Sequence, residues 1–201
     1  MREKYQNEIE KRIREYKQGY AFSTSDFTDI ADTDPINKAL SRLVELGMIR
    51  RVIQGIYDKP AYSKLIGEYS APNIEEVVRA LVRKFNWTIA PAGETALNIL
   101  RISTQVSNKW SYISDGPYRK YEIGSYLVEF KHCANKEISG KSTITITVIQ
   151  AIKYIGKDNV QPDDIDKLSH VLSKEDKETI LRESMTTTAW IYRIIKEICK
   201  E

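Results

Sequence analysis

Apolar residues recur at helical spacing along most of the chain and at strand spacing in its middle. Tyr5, Ile9, Ile13 and Tyr16 fall on one face of a predicted helix over 2–18, with Gly19 as its stop. Ser23, Thr24 and Ser25 offer an N-cap for a short second helix that turns Phe27 and Ile30 inward. A third helix opens at Asp34-Pro35, a capping residue followed by one whose missing N–H costs nothing at the first helical position. Ile36, Leu40, Leu43 and Val44 make its apolar stripe, and Gly47 ends it. Met48 to Ile53 is rich in β-formers, Gln54-Gly55 is a turn signal, and Ile56-Tyr57 resumes extended structure. Three helices and a two-stranded ribbon within the first 60 residues predict a winged helix-turn-helix.

Residues 58–73 carry two prolines, a glycine and small polar residues, the composition of a linker or loosely packed strap. Asn73 then caps a predicted helix through Phe85, with Glu76 completing a capping box. Thr88 to Ala90 suit a short strand, and Pro91-Ala92-Gly93 opens a helix to about Leu100. Between Lys109 and Cys133, strands over 110–113, 118–123 and 126–132 predict an antiparallel meander turned at Asp115-Gly116-Pro117. Residues 142–149 alternate Thr and Ile as a strand would, yet Ile144, Val148, Ile152 and Ile155 share a helical face; a helix from Thr143 to Ile155, stopped by Gly156, is the preferred reading. Asp163 caps a helix to Leu172, Ser173 with Asp176 boxes another to about Glu183, and a last helix near Thr187 to Cys199 buries Trp190, Ile191, Ile194, Ile195 and Ile198. The expected fold class is α+β: a winged helix-turn-helix over 1–60, a linker over 61–72, and a mixed α/β C-terminal domain over 73–201 with a small antiparallel sheet and C-terminal helices.

Composition narrows the function classes. Of 201 residues, 41% are hydrophobic and 29% charged, which excludes a disordered tail. No apolar run approaches the ~20 residues of a spanning helix, and the charged first twenty residues do not resemble a secretory signal. Two cysteines, Cys133 and Cys199, suit a reducing compartment, so a cytoplasmic location is expected. Net charge is only +3, but its distribution is uneven: residues 1–70 are near neutral, whereas 79–141 hold ten Lys/Arg against five Asp/Glu. A basic middle permits nucleic-acid contact, and a solvated surface accounts for it equally well.

The third helix, docked N-terminus first into a major groove, brings Asn37 and Lys38 nearest the bases, with Ser41 and Arg42 one turn on. Arg42 is the first candidate for guanine or phosphate, because its guanidinium is a rigid two-pronged donor. Arg50, Arg51 and Gln54 on the ribbon are candidates for the adjacent backbone, although neighbours on a strand point oppositely and the two arginines cannot both face DNA. Thr24 and Ser25, with Ser23, are placed to hold a phosphate at the second helix's start, or to do no more than cap it. Rival chemistry is weaker. Gly140-Lys141-Ser142 is the back half of a phosphate-binding loop, but Asn135 stands where the full pattern wants glycine, and a Ser142 cap explains it better. His132 and Cys133 are strand neighbours and cannot pair as base and nucleophile. Asp163, Asp164 and Asp166 lie in a first helical turn, where carboxylates suit the macrodipole. No catalytic constellation emerges, and neither an enzyme nor a cofactor or metal is expected. The competing expectation is a winged module that binds a protein or RNA.

GYAFSTSDFTDI, RLVELGMIRRVIQGIYDKP and especially PAGETALNILRISTQVSNKWSYISDGPYRKYEIG resemble the AbiEi-type antitoxins of type IV toxin–antitoxin systems. VIQAIKYIGKDNV and TAWIYRIIKEI resemble the closing helices of that group. The resemblance implies an N-terminal winged helix and a C-terminal antitoxin domain. It implies repression of the chain's own operon by binding double-stranded DNA repeats in the promoter, and the countering of a nucleotidyltransferase toxin that need not be bound directly. The chain departs from the group at Arg101-Ile102, where a Gly-Leu pair is frequent, and at Gln54 on the wing tip, where an arginine is common.

Overall fold

The computed structural model describes residues 2–65, 67–105 and 107–200 and divides into two units, Met1–Trp87 and Thr88–Glu201. In the first, α1 (Arg2–Glu15) turns Ile9 and Ile13 into the core. Its last carbonyls accept from the Lys59 ammonium, which bonds Arg14 O at 2.6 Å and Tyr16 O at 2.7 Å, a cation placed where the helix dipole favours one. The chain reverses into β1 (Ala21–Ser23), a strand the polar Ser-Thr-Ser run had concealed. A single 3-10 turn, η1 (Thr24–Phe27), stands where a second helix was expected; Ser23 starts it, giving its N–H and hydroxyl to Asp26. α2 (Thr33–Glu45) begins one residue before Asp34, with Asp32 rather than Asp34 as N-cap, and ends at Leu46 before Gly47 in the left-handed region. β2 (Arg50–Ile53) and β3 (Ile56–Asp58) form the expected ribbon, and β1 adds to it in the order β1-β3-β2.

Register pairs Phe22 with Tyr57 on one sheet face, where they meet Phe27, Ile36, Leu40 and Leu43 of the core. Ala21, Ser23, Ile56 and Asp58 occupy the opposite face and are buried too. The hairpin β4 (Tyr62–Ser63) and β5 (Glu68–Tyr69) follows. α3 (Ile74–Phe85) is capped by Asn73 as expected and packs along β1 and β3. This helix belongs to the first unit, so that unit extends to Trp87 rather than stopping at residue 60, and the segment 61–72 runs within it.

The second unit is α+β as well. β6 (Ile89–Pro91), β7 (Lys109–Ser114), β8 (Arg119–Ile123) and β9 (Tyr126–His132) form one sheet in the order β6-β7-β9-β8. It is not the meander the turn signals suggested: β8 pairs antiparallel with β9, but β9 runs parallel to β7. The link at 115–118 therefore steps past a strand position. The buried strand with Val128, Glu129 and Phe130 takes the centre, and charged β8 takes the edge, where unpaired backbone meets water. α4 (Gly93–Ile99) begins where Ala92 N–H reaches Ser111 O, and its Thr95 hydroxyl accepts from Ser111 N–H at 2.7 Å. After a short turn, α5 (Asn135–Ile138), come α6 (Thr143–Ile155), α7 (Pro162–Val171), α8 (Lys174–Glu183) and α9 (Ala189–Ile198). α6 is buried over most of its surface, with Thr147 Oγ1 donating to Thr143 O at 2.7 Å, so its alternating Thr and Ile are compatible with a helix. Ala96, Leu100, Val148, Ile152, Leu168, Ile180, Ile191 and Ile195 form the core shared by these helices.

Candidate nucleic-acid interface

α2 is amphipathic in the sense the sequence predicted: Ile36, Leu40 and Leu43 have no exposure, while Asn37, Lys38 and Arg42 are exposed and Ser41 is half-buried. Two hydrogen bonds set the rim of that outer face. Thr24 Oγ1 donates to Asn37 Oδ1 at 3.0 Å, tying η1 to the first turns of α2. Arg42 Nη1 donates to Gln6 Oε1 at 3.0 Å, which draws the guanidinium toward α1. Ser25 is exposed, and its hydroxyl lies 2.7 Å from that of Ser23. Arg12 fastens the base of the layer with a two-pronged ion pair to Asp29 at 2.8 and 2.6 Å.

The ribbon separates its two arginines. Arg50 faces Asp58, which is 1% exposed, with both carboxylate oxygens engaged, and its third nitrogen donates to Ser70 O at 2.9 Å. That guanidinium holds the ribbon to the following segment. Arg51 remains exposed, its fork leaning on Tyr57 with the hydroxyl at 3.2 Å. Gln54 is exposed at the turn, and Gly55 next to it adopts φ +74. A Cβ at Gly55 would stand 2.5 Å from Lys84 Nζ, so the turn closes directly on a lysine of α3.

Elsewhere the other motifs resolve into structure. Ser142 caps α6 and gives its N–H and hydroxyl to Glu183, at 2.7 and 2.8 Å, while the short helix α5 precedes the Gly-Lys-Ser triplet. His132 Nδ1 contacts Gly116 O at 3.0 Å, and Cys133 is buried beside Ile113 and Ile146, where burial pushes its thiol above the ordinary range. Among the described residues no group of His, Cys, Asp and Glu is arranged to hold a metal ion, and no helix is long and apolar enough to cross a membrane.

Comparison with known proteins places the chain. The family of unknown function DUF6088 matches residues 8–180. The chain belongs to that family. No curated protein matches it. The crystal structure of the RV2827C protein from Mycobacterium tuberculosis is similar at 13% sequence identity and a TM-score of 0.49, over 90% of this chain and 71% of that one.

In this DUF6088 chain the structure adds two acids to the α2 surface and one lysine to the wing tip. Asp34 and Glu45 are exposed, and helical geometry sets both on the same face as Asn37, Ser41 and Lys38. Their carboxylates offset Lys38 and Arg42. The periodicity contained that signal, since 34, 38, 41 and 45 follow a 3.6-residue repeat. Lys84 at the wing tip had no such signal, because about thirty residues of chain separate it from Gly55.

Proposed function

We propose that the N-terminal unit is a winged helix-turn-helix and that the chain is a DNA-binding transcriptional autorepressor, serving as the antitoxin of a type IV toxin–antitoxin system against a nucleotidyltransferase toxin. One observation carries the DNA-binding reading: α2 buries Ile36, Leu40 and Leu43 completely and leaves Asn37, Lys38 and Arg42 exposed, in a unit whose ribbon exposes Arg51 and Gln54. The element order α1, β1, η1, α2, β2, β3 supports it, since the helix before the ribbon is the one such modules insert in the major groove. In this reading Asn37 and Lys38 meet base edges, Arg42 takes a guanine or a phosphate, and Arg51 and Gln54 touch the backbone beside the groove. Arg50 serves the ribbon. The antitoxin part rests on the resemblance of the stretch from Pro91 to Gly124, and the toxin need not touch this chain.

The test is binding of the chain to the promoter of its own operon, followed by fluorescence anisotropy over a salt series. Specific binding is expected to exceed that to random DNA by at least about a thousandfold and to weaken linearly in log salt. Equal affinity for both DNAs overturns the repressor reading. A second reading has its own observation: Asp34 and Glu45 leave the outer face of α2 without net charge, which suits a protein partner better than a polyanion. Salt-insensitive capture of a protein, without DNA binding, decides for it.

A further inference from the structure

Two clefts in the C-terminal unit share one lysine. The first, of about 390 Å³, lies along α4 and is mainly apolar; Ile99 and Trp110 wall it, and Asn98 and Gln105 supply amides. The second, of about 300 Å³, lies at the N-terminal end of the same helix and is lined by Ser111, Lys131 and Lys153. Lys109 lines both. A single carboxylate arranges the lysines. Glu129, 3% exposed, faces Lys109 Nζ at 3.0 Å, Lys120 Nζ at 3.5 Å and Lys131 Nζ at 3.7 Å, and accepts from the Tyr118 hydroxyl. Three ammoniums around one carboxylate leave the cluster cationic, with each lysine roughly half exposed. Lys153 is paired with Glu137, and Glu94, which accepts from Tyr154, is the acid on the rim. Beside the apolar cleft, Asn98 Oδ1 is buried with no hydrogen-bond partner among the described residues, an arrangement that a polar ligand group relieves once the amide turns toward it.

We propose that the two clefts together bind a nucleoside polyphosphate, with the base beside Trp110 and Asn98 and the phosphates at Lys109, Lys131 and Lys153. An indole offers a face for stacking any base. A carboxamide matches a base edge that presents a donor beside an acceptor. Ammoniums held at the mouth of a polar cleft bind phosphate as point charges without the cost of ordering them first. The ligand gives the basic excess of residues 79–141 a purpose that does not involve α2.

The test is calorimetric titration of the full chain with ATP, GTP, CTP and UTP, each with magnesium, and with inorganic triphosphate and free nucleosides as partial probes. Saturable binding of at least one nucleotide is expected, tighter than inorganic triphosphate or the matching nucleoside. Lys131→Gln and Asn98→Asp are each expected to weaken it about tenfold, the loss of one good polar contact. Absence of saturable heat with all four nucleotides at millimolar concentration overturns the proposal. So does triphosphate binding as tight as the nucleotide, or unchanged affinity in both variants. Should a variant melt early, the comparison of nucleotide with triphosphate on the unaltered chain decides by itself.

Discussion

Arg42 and Glu45 stand three residues apart on the exposed face of α2, one held by Gln6 and the other open to water. If this face meets DNA, the two act in opposite directions. Arg42→Ala is expected to cost about 1–3 kcal/mol in promoter affinity, whereas Glu45→Gln strengthens it and steepens its salt dependence; anisotropy titrations of both variants check the pair. Arg101 is a different kind of residue-scale finding. It adopts φ +56 just past α4, with Ile102 N–H bonded back to Leu97 O at 2.9 Å, so the helix closes as it would with glycine. The Arg-Ile departure thus keeps the helix end and stores strain there. Arg101→Gly is expected to raise stability by about 0.5–1 kcal/mol, the left-handed penalty less the entropy of glycine. A thermal melt that moves down instead refutes the strain argument.

Among elements, α2 and α6 show how far periodicity reaches. The bounds of α6, Thr143 to Ile155, were legible because Ser142 and Gly156 punctuate a run whose apolar face persists through three turns. The 24–31 segment was not, because serine, threonine and aspartate satisfy their backbone locally and suit a strand end, a 3-10 turn or a helix cap equally. Strand order in the second sheet was likewise hidden: Asp115-Gly116-Pro117 marks a turn, and a turn does not say which strand comes next to which. β9 carries a further consequence. Burial by itself would raise the Glu129 carboxyl, but the Tyr118 hydroxyl and the ammoniums of Lys109 and Lys131 outweigh it and hold it near about 2, against an ordinary 4.5. Since the folded value is the lower one, the stabilisation is fully present above about pH 4.5 and is lost as pH falls from there toward 2, by about 3 kcal/mol in all. Acid unfolding of Glu129→Gln is expected to lack that part of the pH dependence; identical pH profiles contradict the account.

At the scale of the whole chain, the N-terminal unit needs α3. Ile74, Val77, Val78 and Leu81 are buried on it, and Arg83 reaches Asp26 and the Ala21 carbonyl. A fragment of residues 1–87 is expected to melt cooperatively and, if the repressor reading holds, to bind the promoter, whereas 1–60 is expected to lack a cooperative transition. Calorimetry of the two fragments checks this, and a cooperative melt for 1–60 refutes it. The amino-acid pattern by itself determined the α+β class, the stripe of α2, the ribbon after it and the caps at Asn73, Ser142 and Ser173, because caps, turns and amphipathic faces are set by neighbours a few residues apart. It also picked out Asn37, Lys38 and Arg42 among the residues α2 turns outward, but neither the two acids beside them nor the caps of α2 and α7, which fall to Asp32 and Gln161. Only the tertiary structure decided that α3 joins the first unit, that Asp58 claims Arg50 and leaves Arg51 exposed, that β9 lies parallel to β7, and that three lysines gather on Glu129. Each of these depends on which distant segment excludes water from a given face, and no local spacing along the chain carries that information.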